Sequence, residues 1–286
     1  MTRLSSPLVT TDHDRDIAGM TYVYPVVSRR AGGVSVGVNL NPNNACNWRC
    51  IYCQVPNLTR GTAPKIDLAK LETELRALLR DIVHGSFMRD YVPEEARRLN
   101  DIALSGNGEP TSAKAFEQVI ELIGRLMQDF DLLGKIKLVL ITNGSLIGRP
   151  NVQRGLARMS ELGGEVWFKM DAATREGIRR INGSEQLPGK TLKNLSAAAK
   201  LCPSWVQTCM FALDGTAPSA NERDAYLGLL KQALDGGTVL EGVLLYGLAR
   251  PSMQPEAARL SALPLEWLEG FAADIRRLGL EVKVTL

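Results

Sequence analysis

The chain has 286 residues, of which 45% are hydrophobic and 23% are charged, as in an ordinary globular protein. Its net charge of +3 is too small to argue for nucleic-acid binding, and its arginine pairs are scattered along the sequence. The polar first twenty residues contain no signal peptide, and no stretch approaches the roughly 18 apolar residues of a membrane span, so we expect a cytoplasmic protein without a membrane partner.

Strand-like and helix-like segments alternate along the sequence. Short apolar or β-branched runs predict strands at 34–40, 102–106, 137–142, 165–171, 205–213, 240–247 and 280–286. Helical periodicity lies between them, at 66–83, 113–127, 151–162, 191–201, 220–234 and 265–279. This alternation predicts βαβ units with parallel strands, and six or seven repeats favour a barrel or partial barrel. We therefore predict an α/β fold, a partial (β/α)6-type TIM barrel, with an N-terminal extension at 1–33 and the core at 34–286.

The segment CNWRCIYC holds three of the five cysteines at C-x3-C-x2-C spacing: Cys46, Cys50 and Cys53. Cytosolic thiols stay reduced, so this grouping indicates a metal or redox site and not a disulfide framework. A structural zinc ion needs four ligands, and Cys202 or Cys209 could fold back to supply the fourth, although neither they nor His13 and His84 stand in a paired motif. Three thiolates with one open position suit an iron–sulfur cluster better.

Polar residues also follow the later strands, at the face where barrels of this kind carry their active sites. The second strand leads to GNGEP at 106–110, whose glycines allow close backbone approach and whose Glu109 offers a carboxylate to an ammonium group. A plain tight turn is the alternative interpretation. Asn143 ends the third strand. Lys169 and Asp171 end the fourth on one face of the pleat, where a buried ion pair is the alternative.

The cysteine spacing with an aromatic residue before the last cysteine, followed one strand later by GNGEP, resembles the radical S-adenosylmethionine (radical SAM) superfamily. The segments LITNGSL, VWFKMDAAT and VLLYGLARP extend the resemblance to short Fe–S oxidoreductases related to wybutosine synthesis. The resemblance implies a 4Fe–4S cluster on the three cysteines and SAM on the open iron. It implies these contacts with SAM: Tyr52, Gly106, Asn107, Gly108, Glu109, Asn143, Lys169 and Asp171. Further candidates at the later strand ends are Gln207, Thr208, Tyr246 and Arg250.

The resemblance implies a function as well. SAM would be cleaved reductively to a 5′-deoxyadenosyl radical, which abstracts hydrogen from an unidentified small-molecule or peptide substrate, with electrons from a donor such as flavodoxin or ferredoxin. A tRNA-modifying radical SAM enzyme is an alternative, but wybutosine-type enzymes carry extra cysteines for a second cluster. Here only Cys202 and Cys209 remain, and we expect them to be buried core residues. A third interpretation is a non-catalytic Fe–S or zinc-binding module. The SAM contacts that the resemblance implies in GNGEP and in KMD (169–171) argue against it, because a purely structural site needs no such contacts.

Overall fold

The centre of the protein, in a computed structural model that describes residues 7–8, 18–28 and 32–286, is an eight-stranded sheet. Its strands are neighbours in chain order: β1 (Val23–Ser28), β2 (Gly33–Val38), β3 (Leu99–Leu104), β4 (Lys137–Thr142), β5 (Glu165–Lys169), β6 (Ser204–Cys209), β7 (Gly242–Tyr246) and β8 (Val282–Thr285). β1 pairs antiparallel with β2, and all later neighbours pair in parallel. The sheet curls into a half-barrel, which confirms the predicted α/β partial TIM barrel.

Helices connect the parallel strands. They are α1 (Leu68–His84), α2 (Phe87–Tyr91), α3 (Phe116–Asp129), α4 (Pro150–Glu161), α5 (Arg175–Asn182), α6 (Pro188–Leu201), α7 (Ala220–Asp235) and α8 (Leu265–Arg276). Single 3-10 turns lie at Glu94–Ala96, Pro110–Ser112 and Ala257–Arg259, and two-residue strands pair Ala45–Cys46 with Thr59–Arg60 and Ala212–Leu213 with Leu260–Ser261. Each predicted helix is present, while α2 and α5 are additional. Within the described ranges no helix is both long and apolar enough to span a membrane.

The main core lies between the sheet and the helices outside it. In β2, Val34, Val36 and Val38 are fully buried in this core, while Ser35 and Gly37 line the inside of the half-barrel. This is the period-2 alternation of a strand with two different faces. Burying one such aliphatic side chain contributes about 1.5–3 kcal/mol, so the outward faces stabilise the fold and leave the inner face available for a site.

β1 was not predicted and lies within the segment 1–33. It contains Pro25, which an edge strand tolerates because a proline has no N–H to donate to a neighbour. The ring of Tyr24 covers its cross-strand partner Gly37, where an added Cβ would lie 2.2 Å from the ring. β1 thus extends the sheet of the core, and the division of the chain at residue 33 stays a prediction.

Candidate functional site

The carboxyl ends of the parallel strands open onto a cavity of about 300 Å³, within the size range of small-molecule sites. The three cysteines line this cavity. So do all the predicted SAM contacts other than Asp171, namely Tyr52, Gly106, Asn107, Gly108, Glu109, Asn143 and Lys169. The parallel topology therefore brings residues that lie far apart in the sequence to a single space.

The cysteine loop, residues 46–53, is fixed by hydrogen bonds to its main chain. The N–H of Cys53 donates to the carbonyl of Cys50 at 3.0 Å and closes a tight turn. Two residues from the segment after β7 also bond to the loop. The hydroxyl of Ser252 donates to the Ile51 carbonyl at 2.7 Å, and the N–H of Met253 donates to the Cys53 carbonyl at 2.9 Å. The loop is therefore held in one conformation by a segment about 200 residues away.

The thiols sit in a desolvated environment. Burial raises the pKa of Cys46 to about 12, against the opposing effect of the Trp48 N–H, which lies 3.4 Å from its sulfur. Burial and then the Asp171 carboxylate raise the pKa of Cys50. Cys53 lies near enough to add to the rise at both thiols. Cys46 and Cys50 are consequently protonated in the free protein, and binding them to iron would release protons.

Of the alternative zinc ligands that the structure describes, Cys209 lines the cavity, whereas Cys202 and His84 do not. Cys202 and Cys209 are both buried, as expected: the first has its sulfur 3.4 Å from the Gly164 carbonyl, and the second packs beside Tyr52. His84 stacks on an aromatic ring outside the cavity, and His13 lies outside the described residues. Among the described residues, no group of three or more His, Cys, Asp or Glu is arranged to hold a single metal ion. A 4Fe–4S cluster differs from such a site, because each thiolate binds a separate iron.

The glycines of GNGEP allow close packing between two loops. Gly106 has a φ of +146°, and a Cβ there would lie 2.4 Å from Oδ1 of Asn39. A Cβ on Gly108 would lie 2.1 Å from the carbonyl oxygen of Ala45, the residue before Cys46. From the sequence, these glycines were expected to allow close approach of a ligand. In the structure they make room for the segment 39–45, which leads into the cysteine loop.

Glu109 connects the ends of β3 and β4. Its Oε1 accepts from the Thr111 N–H at 3.1 Å and from the hydroxyls of Thr111 and Thr142 at 2.5 and 2.6 Å. Within the part of the chain that the structure describes, its Oε2 accepts the Asn143 N–H alone, at 2.7 Å. Burial raises the pKa of this carboxyl, and the hydrogen bonds oppose the rise. Since a carboxylate oxygen can accept two bonds, Oε2 keeps capacity for one further donor.

Asn143 is tied to the cysteine loop. Its Nδ2 donates to Oδ1 of Asn47 at 2.8 Å, and its Oδ1 accepts from the N–H and the hydroxyl of Ser145 at 3.0 and 2.7 Å. The Asn47 amide in turn donates to that hydroxyl at 2.7 Å. Asn47 was not among the predicted site residues, and its position between Cys46 and Cys50 is the one sequence feature that could have marked it.

Lys169 and Asp171 form the buried ion pair that was the alternative interpretation, with Nζ 3.8 Å from Oδ1. Nζ also lies 3.0 Å from the Tyr246 hydroxyl and 5.1 Å from the centre of the Tyr52 ring. Burial acts to lower the pKa of Lys169, but Asp171, Tyr246 and Cys50 together outweigh burial and raise it, so the ammonium stays charged. Lys169 lines the cavity as a cation, whereas Asp171 lies behind it.

Asp171 organises the wall behind Lys169. Its Oδ2 accepts from the Tyr52 hydroxyl at 2.5 Å and from Nδ2 of Asn182 at 2.8 Å, and its Oδ1 accepts from the Cys209 N–H at 3.0 Å. It thereby fixes Tyr52, whose ring packs 5.5 Å from that of Phe211. Its contacts are with protein groups, so any influence on a ligand passes through its neighbours.

Gln207 carries an unsatisfied polar atom. It is 1% exposed and lines the cavity next to Lys169 in the β5–β6 pairing, and its Nε2 has no hydrogen-bond partner among the described residues. A buried donor without a partner costs about 1–3 kcal/mol, so a molecule bound in the cavity that accepts this bond would remove that cost. Of the other late candidates, Tyr246 and Arg250 line the cavity, while Thr208 is buried behind it and bonds Tyr226.

Comparison with known proteins gives one family model and several relatives. A family model described as the Radical SAM superfamily matches residues 40–219, more than half of the chain. A UPF0026 protein of Helicobacter pylori is 26% identical over 215 residues, which cover 73% of this chain and 61% of that protein. A UPF0026 protein of Methanocaldococcus jannaschii is 28% identical over 163 residues, which cover 55% of this chain and 42% of that protein. The chain thus spans at most about 61% of the length of these two relatives.

Two solved structures share the fold. The structure of TYW1 with a lysine–pyruvate adduct bound superposes with a TM-score of 0.55 at 16% identity, covering 86% of this chain and 74% of that one. A radical SAM methyltransferase from Sphaerobacter thermophilus superposes with a TM-score of 0.59 at 14% identity, covering 92% and 68%. At such identities the likeness concerns the half-barrel itself.

Proposed function

We propose that this chain, which belongs to the radical SAM superfamily, is an enzyme that starts a radical reaction on a small-molecule or peptide substrate. Members of the family use a 4Fe–4S cluster and S-adenosylmethionine. The observation that carries the proposal is the convergence of Cys46, Cys50 and Cys53 with the GNGEP loop and Lys169 on one cavity.

The residues at the cavity fit these two groups. Three thiols are one fewer than the usual four cysteine ligands of a 4Fe–4S cluster, which leaves one iron for an external ligand. The unpartnered Nε2 of Gln207 offers a hydrogen-bond donor at the same cavity, where a ligand oxygen or ring nitrogen would satisfy it.

In this proposal the chain's own residues bind and orient the cluster, SAM and the substrate. Bound together, the cluster and SAM supply a 5′-deoxyadenosyl radical, and the protein's part is to position them and its substrate. In this proposal the free acceptor capacity of Glu109 Oε2 receives the SAM ammonium, since a charge-assisted bond of this kind is worth about 1.5–3 kcal/mol. Lys169, Asn143 and Tyr52 line the same cavity. In this proposal Lys169 and Asn143 would face the SAM carboxylate and ribose, and Tyr52 would pack near the adenine.

The apolar part of the wall limits the access of water. The side chains of Trp48, Ile141, Trp167 and Leu248 line the cavity between its polar groups. Excluding water strengthens the electrostatic contacts inside and prevents side reactions of a reactive intermediate. An electron donor such as flavodoxin or ferredoxin and a cytoplasmic location belong to the same proposal, because the thiols must stay reduced before they bind iron.

Anaerobic reconstitution with iron and sulfide, followed by reduction with dithionite in the presence of SAM, tests the proposal. We expect about four irons per chain and time-dependent release of 5′-deoxyadenosine, measured by chromatography. Cys50→Ala is the inactive comparison, and Cys202→Ala, which removes a thiol from the core, is the matched control that keeps activity. No more 5′-deoxyadenosine from the reconstituted wild type than from Cys50→Ala would refute the proposal, and S-adenosylhomocysteine in its place would indicate methyl transfer.

A further inference from the structure

The end of helix α5 is attached to the cysteine loop by main-chain hydrogen bonds. The last carbonyls of a helix have no partner within it. Here the Ile181 and Asn182 carbonyls accept the N–H groups of Ile51 and Arg49, at 2.9 and 3.0 Å. Gly183 follows with a φ of +55°, and a Cβ there would lie 2.9 Å from the Arg49 carbonyl oxygen. The distance between residue 182 and the cysteines is therefore fixed by backbone contacts.

The Asn182 side chain uses this position to reach a cysteine. It is 1% exposed, and its Nδ2 lies 3.3 Å from the sulfur of Cys50, 132 residues away in the sequence, and 2.8 Å from Oδ2 of Asp171. An amide nitrogen carries two N–H groups, one for each of these acceptors. The carboxylate also fixes the orientation of the amide, since the reverse orientation would place two oxygens against each other.

An N–H that points at a ligating sulfur stabilises negative charge on that sulfur. Reduction of an iron–sulfur cluster adds one electron, part of whose charge falls on the sulfurs. Hydrogen bonds to the sulfurs therefore favour the reduced form and raise the reduction potential.

We infer that Asn182 is a positioning residue that hydrogen-bonds the Cys50 thiolate and raises the reduction potential of the cluster, an inference that rests on the proposed function. In this step one electron passes from the reduced donor, which is oxidised, to the cluster. No bond forms or breaks and no proton moves. Asp171 contributes by accepting a hydrogen bond that holds the Asn182 amide in place. Gly183 and the carbonyls at the end of α5 fix the main chain of Asn182 against the cysteine loop.

The experiment measures the potential directly, without SAM or substrate. Reconstituted wild type, Asn182→Leu and Asn182→Ser are titrated with reductant, and the reduced cluster is quantified by electron paramagnetic resonance. Leucine has nearly the shape of asparagine but no donor, and serine is too short to reach the sulfur. At a solution potential equal to the wild-type midpoint, we expect the ratio of reduced to oxidised cluster to fall about tenfold in both variants, which corresponds to about 59 mV for one electron.

The control is Asn194→Leu, which removes an equally buried amide that donates to the Gly144 carbonyl at 2.7 Å. A ratio within about twofold of wild type in both Asn182 variants, or an equal change in Asn194→Leu, would overturn the inference. Loss of the cluster from both folded Asn182 variants would also overturn it, since Asn182 would then be needed for assembly. Absence of a four-iron cluster from the wild type would instead refute the proposed function.

Discussion

Glu109 and Asn143 follow neighbouring parallel strands, and a hydrogen bond of 2.7 Å joins the main-chain N–H of Asn143 to Oε2 of Glu109. The opposite oxygen accepts from Thr111 and Thr142, so one buried carboxylate fixes the loops after β3 and β4. The proposed ammonium contact and the loop geometry therefore depend on the same group.

We expect Glu109→Gln to weaken both SAM binding and the packing of the two loops. In either orientation the glutamine amide nitrogen would face a main-chain N–H, that of Asn143 or that of Thr111. A buried donor without an acceptor costs about 1–3 kcal/mol in the free energy of unfolding. Losing the charge should lower SAM affinity about ten- to a hundredfold, since a charge-assisted hydrogen bond is worth about 1.5–3 kcal/mol. Urea unfolding and calorimetric titration of the reconstituted protein with SAM measure the two effects.

Glu117→Gln is the matched control, because that carboxylate lies at the surface of α3 and pairs with Arg154. It should leave SAM affinity unchanged. Unaltered SAM affinity in Glu109→Gln with an intact cluster would remove Glu109 from the site.

Gly108→Ala should disturb the cysteine loop. Its Cβ would lie 2.1 Å from the Ala45 carbonyl oxygen, which is main chain and cannot move without displacing Cys46. Overpacking of this kind typically costs about 1–3 kcal/mol. We expect a folded protein that takes up much less iron, measured after reconstitution. Gly189→Ala, in α6, meets nothing within 4 Å and should keep full iron content; equal iron content in the two variants would contradict the steric explanation.

Gln207→Met should separate folding from ligand binding. It removes a buried N–H that has no partner, so the ligand-free protein should keep or gain stability, by up to about 1–3 kcal/mol. If SAM supplies the acceptor, the variant should show a smaller rise in melting temperature with SAM than the wild type shows. An unchanged rise would assign this donor to the substrate. A clear loss of stability without ligand would show that the amide serves the fold.

The sequence was sufficient to predict the features that are local in the chain. The cysteine spacing, the strand–helix alternation and the polar residues at the strand ends each depend on a few neighbouring residues. Contacts that depend on tertiary packing were not predictable in this way. Asn182 lies in an unremarkable helix end, and nothing near it indicates that its amide meets Cys50. The glycines of GNGEP show the same limit, since a Gly-rich turn looks alike whether a ligand or another loop approaches it.

The ion pair of Lys169 and Asp171 allows a test of energetic coupling within the buried wall of the cavity. Removing one partner of a buried ion pair leaves an uncompensated charge and costs about 3–5 kcal/mol. Asp171→Asn strands the Lys169 cation and weakens the contacts of Tyr52 and Asn182. Lys169→Met leaves Asp171 with three hydrogen-bond donors, and should therefore cost less than Asp171→Asn.

The double variant should be destabilised by less than the sum of the two single variants, by about 0.5–3 kcal/mol, because the stranded cation is absent from it. Urea unfolding of the four proteins without iron measures this coupling. The Asp214–Arg259 pair, which is half exposed at the surface, is the matched control and should show a much smaller coupling. Strict additivity at Lys169 and Asp171 would mean that the two charges, 3.8 Å apart, are not energetically coupled, and that Tyr246 and the Tyr52 ring hold the cation at the cavity wall.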